Sequence, residues 1–303
     1  YTQTKGYTGD PFEFNISVSD NLHISSVWLN YSYQGGSVEK VELTGSGVYN
    51  YSITINQNST SDLTYNFAAS DVSGNWNVTT SSIVNVSDND VPFLLDLSPN
   101  NSTTGDPLEF KAKIFDNVGI QSVYLNWTSD QNGYHNVSMN RIDLIWNYTI
   151  IAGDYVSNIS YRIFVVDTSG NTNNTEWKNI TVIDDDPPAF RDRSPISATT
   201  GDKLKFRIEA RDNVNLSSAY LNFSQNGWSN NLSMTDQGDG NWTYTITLKH
   251  DLTTIRYFIT VRDSSNNTFT GIVKNITVTD NDKPTYLDHT GSSGTTGEES
   301  TFK

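Results

Sequence analysis

Asp88-Asn89-Asp90-Val91-Pro92, Asp184-Asp185-Asp186-Pro187-Pro188 and Asp280-Asn281-Asp282-Lys283-Pro284 are the stretches of this sequence whose types and spacing most invite chemistry. Each sets carboxylates two residues apart just ahead of a proline. Asp88, Asp184 and Asp280 lie 96 residues apart, and Asp90, Asp186 and Asp282 keep the same step. So do Asp20-Asn21, Asp116-Asn117 and Asp212-Asn213, and so do Asp71, Asp167 and Asp263. Paired acids serve either acid–base catalysis or capture of a hard cation. Catalysis finds no support elsewhere. His23, His135, His250 and His289 share no register and no HExxH spacing, and no GxSxG, P-loop or GxGxxG is present. An active site copied three times would also be unusual. The chain is therefore not expected to be an enzyme.

The register extends beyond the acids. Gly9, Gly105, Gly201 and Gly297 keep it within TGD, TGD, TGD and TGE, and Pro92, Pro188 and Pro284 keep it too. The 303 residues divide into three copies of one 96-residue unit and the opening of a fourth. The expected division is 1–87, 88–183 and 184–279, followed by a linker and opening strands at 280–303. Domain one then lacks its first strand, and the chain is expected to be a piece of something longer or a matured product. The formal net charge is -15, which repels phosphate backbones, so nucleic acid is not an expected partner. There is no cysteine to form disulfides or thiolate metal sites. No apolar run approaches the length of a membrane-spanning helix.

Positioning the acids falls to strands. In PLEFKAKIFD (107–116), Leu108, Phe110, Ala112 and Ile114 alternate with Glu109, Lys111 and Lys113. KLKFRIEARD (203–212) repeats the alternation. This period of two marks strands with one buried face. Further strands are predicted at 122–129, 134–139, 144–151, 160–167 and 178–184, and one follows each linker proline, as at 189–194. The reading is all β, a linear array of seven-stranded sandwiches.

DNVGI (116–120), DNVNL (212–216), DTSGN (167–171) and the DxDxP joints carry a resemblance. The chain resembles the tandem immunoglobulin-like or fibronectin-III-like domains of prokaryotic, above all archaeal, surface proteins. That implies an immunoglobulin-like sandwich. Tyr65, Tyr161 and Tyr257 sit where such folds often place a corner tyrosine, although ordinary core tyrosines read the same way.

In a sandwich of this kind, the chain enters at the pole that holds the loop after the second strand and the loop after the sixth. Asp88 and Asp90 of the linker then meet Asp116, Asn117 and Asp167, with Asp10 approaching from domain one. Asp184, Asp186, Asp212, Asn213 and Asp263 repeat the set, with Asp106 in the place of Asp10. Asp20 and Asp71 lack linker partners, and Asp280 and Asp282 lack loop partners. Converging carboxylates repel unless a cation neutralises them. Ca²⁺ accepts six to eight oxygens flexibly, Mg²⁺ demands stricter geometry, and Zn²⁺ prefers histidine or cysteine. Structural Ca²⁺ is the expected cofactor, at joints similar to those of cadherins. The competing reading is a solvated acidic linker whose Asp and Asn residues bond their own turns.

N-x-S/T sequons begin at 20 of the 35 asparagines, where chance pairing gives only about eight of this motif. Asn30, Asn126 and Asn222 share a register and are expected to point outward, because Val123 and Leu125 point inward. Asn77, Asn173, Asn179 and Asn275 are further candidates for N-linked glycans. Exposed aromatics, Trp76, Trp177 and Trp228, either offer a sugar platform or pack under loops. The functional expectation is a calcium-rigidified, glycosylated, extracellular rod within a surface layer, stalk or filament. Its expected partners are itself, end to end or in a lattice, or neighbouring repeats. The alternatives are an adhesin or carbohydrate-binding stalk, and a non-catalytic spacer of a large secreted enzyme.

Overall fold

A computed structural model describes residues 3–130 and 132–288, and of Asn230 the main chain alone. The chain forms two compact units, Tyr1–Ile183 and Asp184–Lys303. Among the described residues all regular structure is strand.

The first unit holds two sandwiches with separate cores. In the second of these, one sheet orders Phe93–Asp96, Pro107–Phe115, Ile145–Ile151 and Asn140–Ile142. The other orders Asn101–Thr103, Lys178–Ile183, Ser157–Asp167, Ile120–Ser129 and Gly133–Ser138, with Thr172–Asn174 as a short hairpin on Ser157–Asp167. Seven of these strands have four or more residues, and the other three have three each. This is an immunoglobulin-like β-sandwich. The alternation read from the sequence becomes its core: Leu108, Phe110, Ala112 and Ile114 face Leu125, Ile163 and Val182. Phe110 is wholly buried, and full burial of such a side chain stabilises by roughly 1.5–3 kcal/mol. The other sandwich of this unit packs Phe12, Phe14, Leu29, Leu63 and Val84. The second unit repeats the design around Leu204, Phe206, Leu221, Ile259 and Ile276.

The first strand departs from expectation. It is predicted as one segment after the linker proline, but it splits between the sheets. Phe93–Asp96 pairs antiparallel with Pro107–Phe115, whereas Asn101–Thr103 pairs parallel with Lys178–Ile183. Pro99 lies between the two pieces, and a residue without an N–H cannot continue a ladder. In domain one, Lys5–Tyr7 forms the second piece on Ser82–Ser87. Pro11–Ser17, the equivalent of Pro107–Phe115, pairs with Val48–Thr54 alone. Residues 280–288 form no strand. The equivalent segments 93–96 and 189–192 pair with a strand of the domain that follows them. The remainder of the expected fourth unit, 289–303, lies outside the described residues.

Candidate metal centre

Two devices bring the acids together. The strand Ile120–Ser129 carries a bulge between Ile120 and Ser122, and Ile120 pairs directly with Asp167. A bulge re-aims the backbone beside it, so the 116–119 turn arrives next to Asp167. The same irregularity lies between Leu216 and Ser218, where Leu216 pairs with Asp263. The acids then brace their own turns. Asp116 Oδ2 accepts from the N–H groups of Val118 and Gly119, both at 2.9 Å. Asp167 Oδ1 accepts from Ser169 and Asn171, both at 2.8 Å. The linker is tied to the hairpin by the Asn171 amide, which donates to the Asp88 carbonyl at 3.2 Å.

In the first unit, Asp88, Asp116 and Asp167 each offer one carboxylate oxygen, and the three atoms lie within 4.8 Å of one another. In the second unit, Asp184, Asp212 and Asp263 do the same. Asp88 and Asp167 are 7% and 0% exposed, and Asp263 is 1% exposed. Self-bracing does not exhaust these groups. Asp88 Oδ2, Asp116 Oδ1, Asp212 Oδ1 and Asp263 Oδ2 are buried and accept no hydrogen bond. None of the ion pairs among the described residues involves Asp88, Asp116 or Asp167. Two unit charges at this spacing repel by about 3 kcal/mol at an effective dielectric of ~20. The strain is visible at Asp212. Burial raises its carboxyl pKa, and the charges of Asp184 and Asp263 raise it further, against the N–H groups of Val214 and Asn215. By contrast, Asp71 is half-buried, and the Asn75 amide holds its carboxyl below the usual range.

Not every expected ligand joins the triads. Asp90 Oδ2 instead takes the Asn117 amide at 3.1 Å and the Thr8 hydroxyl at 3.3 Å. Asn117 was expected to offer an oxygen. It presents Nδ2 to Asp90, to Asp88 at 3.3 Å and to the Gln57 carbonyl of domain one at 2.8 Å. Asn213 likewise turns Nδ2 to Asp186 at 3.1 Å. These amides offset carboxylate charge as donors. Asp10 takes Asn89 Nδ2 at 3.3 Å and is no member of the triad. Asp106 accepts from the Thr103 hydroxyl at 2.5 Å. Asp280 receives the Thr200 hydroxyl at 2.9 Å, and Asp282 lies 3.5 Å from His250 Nδ1. Sequence reasoning missed the threonines and the hairpin asparagines. Thr8 donates to Asp88 at 2.8 Å, as Thr200 does to Asp280. Both open a TGD segment, and Asn75, Asn171 and Asn267 keep the 96-residue step, so the signal was in the repeat.

The glycan expectation changes at three positions. Asn126 and Asn222 are each only 4% exposed. They face away from the core, as the alternation required, but the outer face has a cover of its own. Tyr134 reaches across from the neighbouring strand and donates to Asn126 Oδ1 at 2.9 Å, and the Asn231 N–H caps Asn222 Oδ1 at 2.8 Å. Asn30 is half-buried and donates to Asn66 Oδ1 at 2.8 Å. Asn77, Asn179 and Asn275 are exposed, whereas half-buried Asn173 spends its amide on the Pro92 carbonyl at 2.9 Å. Trp177 has the Arg162 guanidinium 5.3 Å from its ring, and Trp228 lies 5.8 Å from Phe258, so both pack against neighbours.

No protein-family model matches the sequence, and no curated protein matches it either. Solved structures do. An I-band fragment of titin is 11% identical, with a TM-score of 0.43, over 91% of this chain and 94% of that one. An ICAM-5 ectodomain fragment is 14% identical, with a TM-score of 0.45, over 91% and 75%. A structure concerned with host-cell-surface retention of a bacterial ice-binding adhesin is 13% identical, with a TM-score of 0.31, over 89% and 91%. Likeness at this level extends no further than the fold. The chain is a tandem array of immunoglobulin-like β-sandwiches.

Proposed function

We propose that the chain is a structural array of immunoglobulin-like domains, outside the cell, whose entering linkers are locked onto the next domain by Ca²⁺. One observation carries this reading: Asp88, Asp116 and Asp167 converge, and Asp88 Oδ2 and Asp116 Oδ1 are buried there and accept no hydrogen bond. A divalent cation supplies the missing positive charge and accepts those oxygens. Asp184, Asp212 and Asp263 would hold a second ion in the same way. Holding three like charges together, two of them buried and one half-buried, with only hydrogen-bond donors for company is costly, so a repeat that does so twice favours a bound ion over a solvated linker. Oxygen-only donors suit Ca²⁺, and extracellular modules typically bind it in the 10⁻⁴–10⁻³ M range, where it is plentiful outside cells. The exposed sequons Asn77, Asn179 and Asn275 fit the same location. A surface layer, stalk or filament is the setting in which a repeated unit without a unique pocket is useful.

Calorimetric titration of the chain with CaCl₂ and MgCl₂ tests the reading. Two Ca²⁺ per chain and a raised melting temperature are expected, with Mg²⁺ much weaker. No heat and no melting shift at about 5 mM Ca²⁺, well above the affinity expected of such modules, would overturn it.

A further inference from the structure

The outer face of one sheet in the second unit is cationic within an acidic chain. Along the strand Lys203–Arg211, exposed Lys203, Lys205, Arg207 and Arg211 alternate with Leu204, Phe206, Ile208 and Ala210 of the core. Ala189–Asp192 lies alongside and pairs Arg191 with Glu209. Just beyond it, the Arg193 N–H donates to the Arg207 carbonyl at 2.7 Å. Six of the chain's 19 basic residues therefore share this face, although the net charge is -15. Glu209 is the only carboxylate at the outward positions of these two segments. It accepts from Arg193 at 2.9 Å, and no other ion pair among the described residues involves any of the six cations. The third strand, Asn241–Thr247, sets exposed Thr247 and Thr245 opposite Lys203 and Lys205.

The repeat does not explain this face. At the same register in domain two stand Leu95, Leu97, Pro107, Glu109 and Phe115, and only Lys111 matches Arg207. Lys111 is itself paired with Glu109 at 2.7 Å. The cationic face already stabilises one anion: Arg193 first, then Arg191 and Arg207, hold the Glu209 carboxyl below the usual range. Beside it, a groove of about 290 Å³ lined by Ala189, Arg191, Glu209 and Arg211 has room for a further group. Cations two residues apart on a strand recur about every 6.7 Å, a row that suits an extended polyanion. At physiological salt, charges beyond about 8 Å are largely screened, so a ligand meets this face rather than the net charge. We propose that the outer face of this sheet binds a linear polysaccharide bearing carboxylates. Guanidinium forks match planar carboxylates, as Arg193 and Glu209 show, and the threonine hydroxyls meet sugar hydroxyls. Lys203–Arg211 is paired on both sides, so the row offers no edge for a peptide strand. No aromatic side chain occupies an outward position of the three strands, so nucleobases have nothing to stack on. A second copy is a poorer match, because acids such as Asp71, Asp116 and Asp167 bond their own turns.

Binding of the whole chain to alginate oligomers in EGTA tests this, because EGTA prevents calcium from bridging protein and polymer and so separates the outcome from the calcium reading. Affinity should fall roughly 100-fold between about 50 and about 200 mM NaCl when five cations engage. Arg191→Ser combined with Arg207→Ser should weaken binding at least about tenfold and leave the melting curve unchanged. Lys113→Glu, on the corresponding face of domain two, should bind like the parent. No binding at about 50 mM NaCl, where such contacts are strong, would overturn the proposal. So would equal binding by the double variant, or equal binding to neutral dextran. Tighter binding to dextran sulfate, polyglutamate or single-stranded nucleic acid than to alginate would also overturn it, by assigning the face to that other anion. Self-association without glycan that Arg207→Ser abolishes would overturn it in favour of a second copy.

Discussion

The Tyr161 hydroxyl donates to Asp96 Oδ2 at 2.8 Å, joining the sixth long strand of domain two to a residue 65 positions earlier. Lys178 completes the arrangement from the last strand, with Nζ 2.7 Å from the same oxygen. Tyr257, Asp192 and Lys274 repeat it at 2.7 and 2.8 Å. The tyrosines are core residues, at 2% and 3% exposure, and their hydroxyls anchor the first strand through a carboxylate. Burial lifts both phenol pKa values, and the carboxylate partner lifts them further.

This anchor should be sensitive to acid. Burial alone would raise the Asp96 carboxyl, but Lys178, Ser98 and Tyr161 together hold it below its ordinary 3.8. A carboxylate with a depressed folded pKa contributes stability above its unfolded pKa, and that stability is lost as the pH falls through the folded value. The stability gap between the parent and Asp96→Asn should be full at neutral pH and should shrink below about pH 4. Tyr161→Phe should cost roughly 1.5–3 kcal/mol in urea unfolding of domain two, the range for a hydrogen bond to a charged group.

Each cation site should be separable from the other. Asp116→Asn should lower the calcium stoichiometry from two to one and leave the Asp184, Asp212 and Asp263 site intact. At a hundredfold excess over Kd, the lost ion removes about 2.7 kcal/mol of stabilisation from the affected domain. Loss of both sites, or of neither, in calorimetry would contradict the assignment.

Glycan mapping by mass spectrometry on natively produced protein should find sugar on Asn77, Asn179 and Asn275. Asn126 and Asn222 should be bare, because their amides lie under a covered face. Sugar on Asn126 would require the Tyr134 contact to open.

The cores should respond independently. Leu125→Ala, at a fully buried position, should destabilise domain two by roughly 2–5 kcal/mol, the range for such truncations. Leu221→Ala should do the same to the second unit.

The sequence by itself determined the fold class, because a period of two and a 96-residue register are properties of order along the chain. Leu108, Phe110, Ala112 and Ile114 had to share a face once they lay in a strand. The same register announced that Asp88, Asp116 and Asp167 belong together, since three separate acids kept one step. Only the tertiary structure decided which atoms meet. Asp90 and Asn117 lie within two residues of triad members in the sequence, yet Asp90 takes Thr8 and Asn117, and Asn117 meets Asp88, Asp90 and Gln57 as a donor rather than offering an oxygen. Asn126 showed the same limit. Alternation placed it on the outer face, but whether that face meets solvent depended on Tyr134, carried by another strand. Likewise, the splitting of the first strand needed two sheets to divide it. Periodicity fixes a residue's side of a strand; what lies across from that side is settled by segments far away in the chain.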